Sequence, residues 1–202
     1  WACNSALTYL LREGFQVDAA VGIDQTPGLL REWSDPPDVK YYVASTCDPE
    51  LIDHLEAHGR DVYFFHSHVG FDGEVEHYRE DWPPSYIVGE GATVVARAIG
   101  LGQWMGYNRI DVYGADCAFG PDDMAHANGE TVSDAYGPTQ VMEGVIDGRT
   151  WRTRPDMLMS AVGLARRAMA SGGLIRLMGD TLPGALVGKD DGFLDTVMRY
   201  VT

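Results

Sequence analysis

The stretch from Tyr86 to Asp116 constrains the fold more than any other part of the chain. Tyr86-Ile87-Val88 reads as a strand, Gly89-Glu90-Gly91 as a tight turn, and Thr93 to Met105 as a helix. Arg109 to Tyr113 is a second strand, closed by Gly114-Ala115-Asp116. Strand, crossover helix and strand within about thirty residues is the natural size of a βαβ unit. Such a unit feeds a parallel sheet covered by helices.

The rest of the chain alternates in the same way. Asn4 to Glu13 sets Leu7, Leu10 and Leu11 at helical spacing, and Gly14 ends the run. Ala19 to Ile23 is a short apolar strand ending at Asp24, and Leu29 to Trp33 a short helix before Pro36-Pro37. Val39 to Ala44 is a strand; Asp48 and Pro49 then make a helix start, with the helix running to His58 and Gly59. Val62 to Phe65 is a further strand. Beyond Asp116 comes a long loop, then a hairpin over 141–154 turning at Asp147-Gly148. An amphipathic helix from Pro155 to Ser171, a strand from Leu174 to Met178 and a helix from Gly192 to Val201 complete the pattern. Met157, Met159 and Met169 read as core filler. The expectation is one α/β domain over residues 1–202. Its sheet is doubly wound and mostly parallel, with helices on both faces.

Ligands of such sheets sit beyond the carboxyl ends of the strands. Asp24, Ser45, the turn Gly89 to Thr93, and Gly114-Ala115-Asp116 all fall at predicted strand ends. Glycines at 89 and 91 let the backbone approach a ligand, the helix amides after Thr93 can hold phosphate, and Thr93 can add a hydroxyl. The same turn is also what any strand-to-helix junction favours, and it has neither a third fingerprint glycine nor a P-loop lysine. Asp24 and Asp116 are candidate Mg²⁺ ligands or hydroxyl acceptors; otherwise they are turn residues. His126, in the loop after Asp116, is a candidate general base, or else a solvated loop residue.

Composition narrows the partner. With 15 Lys and Arg against 30 Asp and Glu, the formal charge is -15. No basic run offers the counterion release that nucleic-acid binding draws on, and an anionic membrane surface is equally disfavoured. Cys3, Cys47 and Cys117 form no CxxC, which fits free thiols in a reducing, cytoplasmic setting. No signal peptide or membrane-length apolar stretch is visible.

A rival chemistry lies in Phe65-His66-Ser67-His68. A strand-borne HxH puts both rings on one face, and His77 with Asp72, Glu74 or Glu76 would complete the site of a metal-dependent hydrolase. The alternative is an exposed polar loop. His54 and His58, at helical spacing, read as surface residues, and Trp82-Pro83-Pro84 as loop packing.

Several short motifs together resemble the MptE-like family. They are Asn4-Ser5-Ala6-Leu7, Val21-Gly22-Ile23-Asp24, Val88 to Val94, Tyr113-Gly114-Ala115-Asp116 and His126-Ala127. That family includes the central domain of flagellin motility accessory factors. The resemblance implies a Rossmann-like fold related to bacterial sialyltransferases, and a nucleotide-dependent transfer to a hydroxyl. The donor would be ATP with Mg²⁺, as in hydroxymethylpterin diphosphokinases, or a CMP-sugar, as in glycosyltransferases. By position, Asn4, Asp24, Gly89, Gly91, Thr93 and Asp116 would line the nucleotide cleft, with His126 near the reacting centre. The family pattern opens with a strand and a Gly-x-Gly-Pro-Ser-like loop. Since this chain starts at Trp1, both are expected to be missing from it. A non-catalytic nucleotide-binding module is the corresponding alternative to an enzyme.

Overall fold

In the computed structural model, which describes residues 1–68, 73, 76, 79, 80, 87–89, 91, 93–120 and 140–199, the apolar runs of the first half pair in chain order. The chain divides into two units, Trp1–Trp104 and Met105–Thr202. In the first unit β1 (Ala2–Cys3), β2 (Ala19–Gly22), β3 (Lys40–Ala44), β4 (Asp61–Ser67) and β5 (Ile87–Val88) form one parallel five-stranded sheet. A short strand thus does precede the first helix. Its Cys3 is in register with Val21, Val21 with Tyr42, and Tyr42 with Tyr63. All of β2 is buried, and so is β3 from Tyr41 to Ala44. Continuous apolar strands of this kind need cover on both faces, as a parallel sheet in an α/β protein has.

The helices supply that cover. α1 (Ala6–Arg12) buries Leu7, α2 (Gly28–Glu32) buries Leu29, and α3 (Pro49–Ala57) buries Leu51 and Leu55 at the i, i+4 spacing of one helix face. Asp48 caps α3 by accepting a hydrogen bond from the Glu50 amide at 2.9 Å, and Pro49 fills the first turn. Gly22 is there for space. A Cβ at this position would lie 2.9 Å from the Trp33 ring and 3.0 Å from Leu29 Cδ1.

The helix α4 (Val94–Trp104) packs against β1, β2 and β5 together. In a flat sheet β1 and β5 would be four spacings apart, roughly 19 Å, whereas a helix is only about 10 Å across. Contact with both edges therefore goes with the curl of the sheet into a half-barrel around α4. The interior position suits its sequence: Ala96, Arg97, Ile99, Leu101 and Gly102 are all buried. α4 also carries the chain back from β5 to β1 and β2.

One expectation changes here. The strands flanking α4 do not share a sheet: β5 bonds β4, while β6 (Ile110–Val112) bonds β9 (Ile175–Leu177) in the second unit.

The second unit has its own core, in which Ile146, Trp151, Leu158, Ala161, Val162, Ala165, Leu182, Leu186 and Leu194 cluster. The hairpin of β7 (Met142–Ile146) and β8 (Arg149–Thr153) turns at Asp147 and Gly148, both with positive φ (51° and 78°). This is the two-residue turn that an Asp-Gly pair favours. α5 (Pro155–Ala170) turns Leu158, Ala161, Val162 and Ala165 inward, whereas Met159 is 48% exposed and is not core filler. A short helix not anticipated from sequence, α6 (Leu182–Leu186), is capped by Thr181, which accepts from the Gly184 amide at 3.1 Å. α7 (Asp191–Arg199) contributes Leu194 to the core. Among the described residues no helix is long and apolar enough to cross a membrane.

Two substitutions test these assignments. Asp48→Ala should lower stability by about 1 kcal/mol through loss of the cap. Gly22→Ala should lower it by about 1–3 kcal/mol through overpacking against Trp33. Both are read as shifts in denaturant midpoint at constant m value; an unchanged midpoint for Gly22→Ala would show that Trp33 can give way.

Candidate functional site

The carboxyl ends of β1 to β5 bring together more of the expected polar residues than any other described region. After β1, Asn4 takes a left-handed conformation (φ 44°), which asparagine tolerates better than most residues. Its backbone is fixed on both sides. The amide donates to the Val21 carbonyl at 3.0 Å, and the carbonyl accepts from Trp33 Nε1 at 2.8 Å. Its side-chain Oδ1 is buried with no hydrogen-bond partner among the described residues.

Asp24, beyond β2, is first of all a turn residue: Oδ1 accepts from the Thr26 amide at 3.3 Å and the Thr26 hydroxyl at 3.1 Å. The Asp24 carbonyl accepts from the Asp48 amide at 3.4 Å, tying the β2 end to the start of α3.

Ser45, at the end of β3, donates its amide to the Phe65 carbonyl at 2.9 Å. That bond sets it beside β4, where its Oγ lies 2.8 Å from His66 Nδ1 in a hydrogen bond whose direction follows the imidazole tautomer. His66 is only 8% exposed, and burial lowers its pKa because the charged form loses hydration. A neutral imidazole hydrogen-bonded to a hydroxyl is the arrangement of a base and the group it can deprotonate.

His68 lies just past β4 and serves differently from His66. Its amide donates to the Val88 carbonyl at 3.4 Å, and its ring covers Gly89, where a Cβ would overlap the imidazole. Its Nδ1 is buried without a partner among the described residues. Gly89 is therefore required by close approach, although what approaches is a side chain of the same chain. Gly91 has φ +90°, and a Cβ there would meet Ala96 Cβ at 2.5 Å. Thr93 Oγ1 accepts from the Ala96 amide at 3.3 Å and so caps α4. One residue further into that first turn is Arg97, 1% exposed and charged, a buried cation that no local sequence signal marks.

The structure thus brings together Asn4, Asp24, Ser45 and Gly89 with His66 and His68, and sets Gly91 and Thr93 at the turn into α4. Asp116 and Gly114 belong to the second unit. Gly114 has φ 65°, and open space surrounds its Cβ direction. Asp116 keeps solvent contact, yet desolvation lifts its carboxyl above the ordinary range, partly offset by Arg149. Its carbonyl accepts from the Leu182 amide at 3.1 Å, holding the start of α6. His126, His77, Asp72, Glu74 and Trp82-Pro83-Pro84 lie outside the described residues.

Among the described residues His66 and His68 belong to no group of three metal-ligating side chains. The group that does form is Asp35, His54 and His58, on a different part of the first unit. The i, i+4 spacing of the two histidines was visible in the sequence; Asp35, 19 residues before His54, was not.

Burial pushes the thiols of Cys3, Cys47 and Cys117 up, to about 11, 12 and 12 respectively. All three are free cysteines. No protein-family model matches the chain, and neither does any curated protein or solved structure.

The His66 environment predicts a proton linkage. Its folded-state pKa lies below the unfolded value of about 6.5, so the unfolded chain takes up the proton first. Its contribution to stability is complete above that pH and is lost as pH falls through the folded pKa. Melting temperature should therefore fall more steeply between pH 7.5 and 5 for the wild type than for His66→Gln; parallel profiles would refute the linkage.

Proposed function

We propose that the chain is a nucleotide-dependent transferase acting on a hydroxyl acceptor, with the donor seated on the carboxyl edge of the first unit's sheet. The observation that carries this reading is the Ser45–His66 pair, 2.8 Å apart, set among the strand ends that hold Asn4, Asp24 and Gly89. Phosphate is best served by the backbone amides in the first turn of α4, since that is the positive end of the helix. Arg97, in the same turn, adds a positive charge that does not titrate away. Together they answer the anion problem posed by a formal charge of -15.

Asp24 is the residue of this edge suited to a Mg²⁺ ion. One carboxylate is enough when the remaining ligands are substrate phosphates and water. Thr26 occupies Oδ1 and fixes the carboxylate's orientation. With ATP as donor, such an ion would neutralise charge on the diphosphate as it passes to the acceptor oxygen and on the AMP that leaves. Ser45 orients His66, and the neutral imidazole is suited to accept a proton from the attacking hydroxyl. Asp116 and His126, in the second unit, are the other two residues proposed to take the acceptor's proton, and desolvation raises the Asp116 carboxyl from its ordinary value. The resemblance to the MptE-like family supports the same reaction class, with ATP or a CMP-sugar as donor. A cytoplasmic setting agrees with three free cysteines.

Melting the full chain with ATP, CTP, CMP and CMP-sialic acid, each with and without Mg²⁺, tests the reading. A ligand at 100 times its Kd should add about 2.7 kcal/mol of stability. A metal-dependent ATP response indicates diphosphate transfer, and a metal-independent cytidine response indicates sugar transfer. Binding without turnover indicates a non-catalytic module, and no response to any ligand ends the nucleotide reading. With a responding ligand in hand, Gly89→Ala should weaken binding by displacing the His68 ring. His66→Ala should lower turnover by about 10²–10⁴. Unchanged turnover in both Asp116→Asn and His126→Ala would remove those two from catalysis.

A further inference from the structure

The second grouping of histidines lies at the other edge of the same sheet. α3 starts beyond the carboxyl end of β3 and ends just before β4 begins, so His54 and His58 stand at the amino edge. Asp35 is in the connection that leads from α2 into β3, at that same edge. One donor atom from each of Asp35, His54 and His58 lies within 4.8 Å of the other two.

Three details make this more than proximity. His58 Nδ1 donates to the His54 carbonyl at 2.7 Å, which fixes the tautomer and leaves Nε2 with its lone pair. A histidine ligand to a metal is commonly held in this way, one ring nitrogen donating to a carbonyl and the other free to coordinate. The Asp35 carboxylate is oriented in turn: its Oδ2 accepts from Arg60 Nε and from an Arg60 terminal nitrogen, both at 3.2 Å. Finally, His54 Nε2 and Asp35 Oδ2 are 3.4 Å apart. Two ligands about 2.1 Å from a tetrahedral zinc ion would be about 3.4 Å from one another.

We propose that Asp35, His54 and His58 bind a late first-row divalent cation, with Zn²⁺ as the best-fitting ion and water in the remaining position. Two imidazoles and one carboxylate suit Zn²⁺, Ni²⁺ or Cu²⁺ and discriminate against Mg²⁺, which prefers all-oxygen ligands. His54 and Asp35 are intermediate in exposure and His58 is exposed, so the ion enters from solvent without opening the fold. Bound there, it links the last turn of α3 to the segment entering β3 and acts as a clip on the first unit. The site is separate from the carboxyl edge, and the proposal stands or falls apart from the nucleotide reading.

Zn²⁺ titrated into chelator-treated full-length protein, followed by calorimetry, should bind at one equivalent per chain and raise the melting temperature; Mg²⁺ at the same concentration should do neither. Co²⁺ should develop the visible absorption of a low-symmetry, four-coordinate site. His58→Gln and His54→Gln should each weaken Zn²⁺ at least ten-fold, and Asp35→Asn should weaken it less. Metal-free melting curves serve to show that each variant folds. His58→Gln is the safer of the histidine variants because its side chain is exposed. Absence of stoichiometric Zn²⁺ binding overturns the proposal. So does an affinity unchanged in the His54→Gln, His58→Gln double variant, which would place the metal elsewhere.

Discussion

The first unit depends on how closely α4 fits inside its sheet. A helix that touches β1, β2 and β5 at once leaves little room for side chains on the faces that meet those strands, although Arg97 is buried on the same helix. The sequence from Val94 to Gly102 answers with Ala96, Ala98, Gly100 and Gly102 interspersed among Val94, Val95, Ile99 and Leu101. Small residues let the backbones approach, and the larger ones fill what remains of the curl. Glycine in a helix interior costs about 1 kcal/mol relative to alanine, a cost that Gly100 and Gly102 put on α4 and that the burial of Ile99 and Leu101 works against. The curl has a chemical consequence as well. Drawing the edges of the sheet around one helix turns a row of strand ends into a concave rim, and places Asn4 and Gly89, from the two edge strands, on that rim.

How far this was legible depended on the range of the interaction involved. The signals at Asp48-Pro49, at Asp147-Gly148 and in the amphipathic run from Pro155 to Ser171 are local, and each marks the element expected of it. Ala19 to Ile23 and Val39 to Ala44 were readable as strands because full burial demands an unbroken apolar run. Partner choice was not readable. Nothing in Ile87-Val88 or in Ile110 to Val112 states that the first pairs backward with β4 and the second forward with β9. The edge strand Ala2–Cys3 is two residues long and carries no periodicity, so it passed unnoticed.

The rim divides along the same line. Strand-end position alone marked Asp24, Ser45 and the glycine turn. The contact that gives Ser45 chemical meaning comes from a residue 21 positions away, His66, whose spacing in the sequence points instead to an HxH metal motif with His68. Strand alternation would put both rings on one face only while the strand continues. β4 ends at Ser67, so His68 is free to turn over Gly89 while His66 stays with Ser45. His54 and His58 were set aside as surface residues for a related reason: their third member is supplied by tertiary structure.

The thiols narrow the chemistry that the rim can support. Cys3 ends β1 and Cys47 sits between Ser45 and the α3 cap, so both adjoin residues of the rim, while Cys117 follows Asp116 in the second unit. A cysteine acts as a nucleophile through its thiolate. With pKa values raised to about 11 or 12, almost none of these thiols is ionised near neutral pH. Burial dominates in each case, and the neighbouring Asp24, Asp48, Asp116 and Asp156 reinforce it at Cys47 and Cys117. Burial thus does most to silence the sulfur, and the acidic residues beside Cys47 and Cys117 add to it. What remains ready to react near neutrality on the described rim is oxygen and imidazole nitrogen, a set suited to moving a proton off a hydroxyl rather than to forming a thioester or a mixed disulfide.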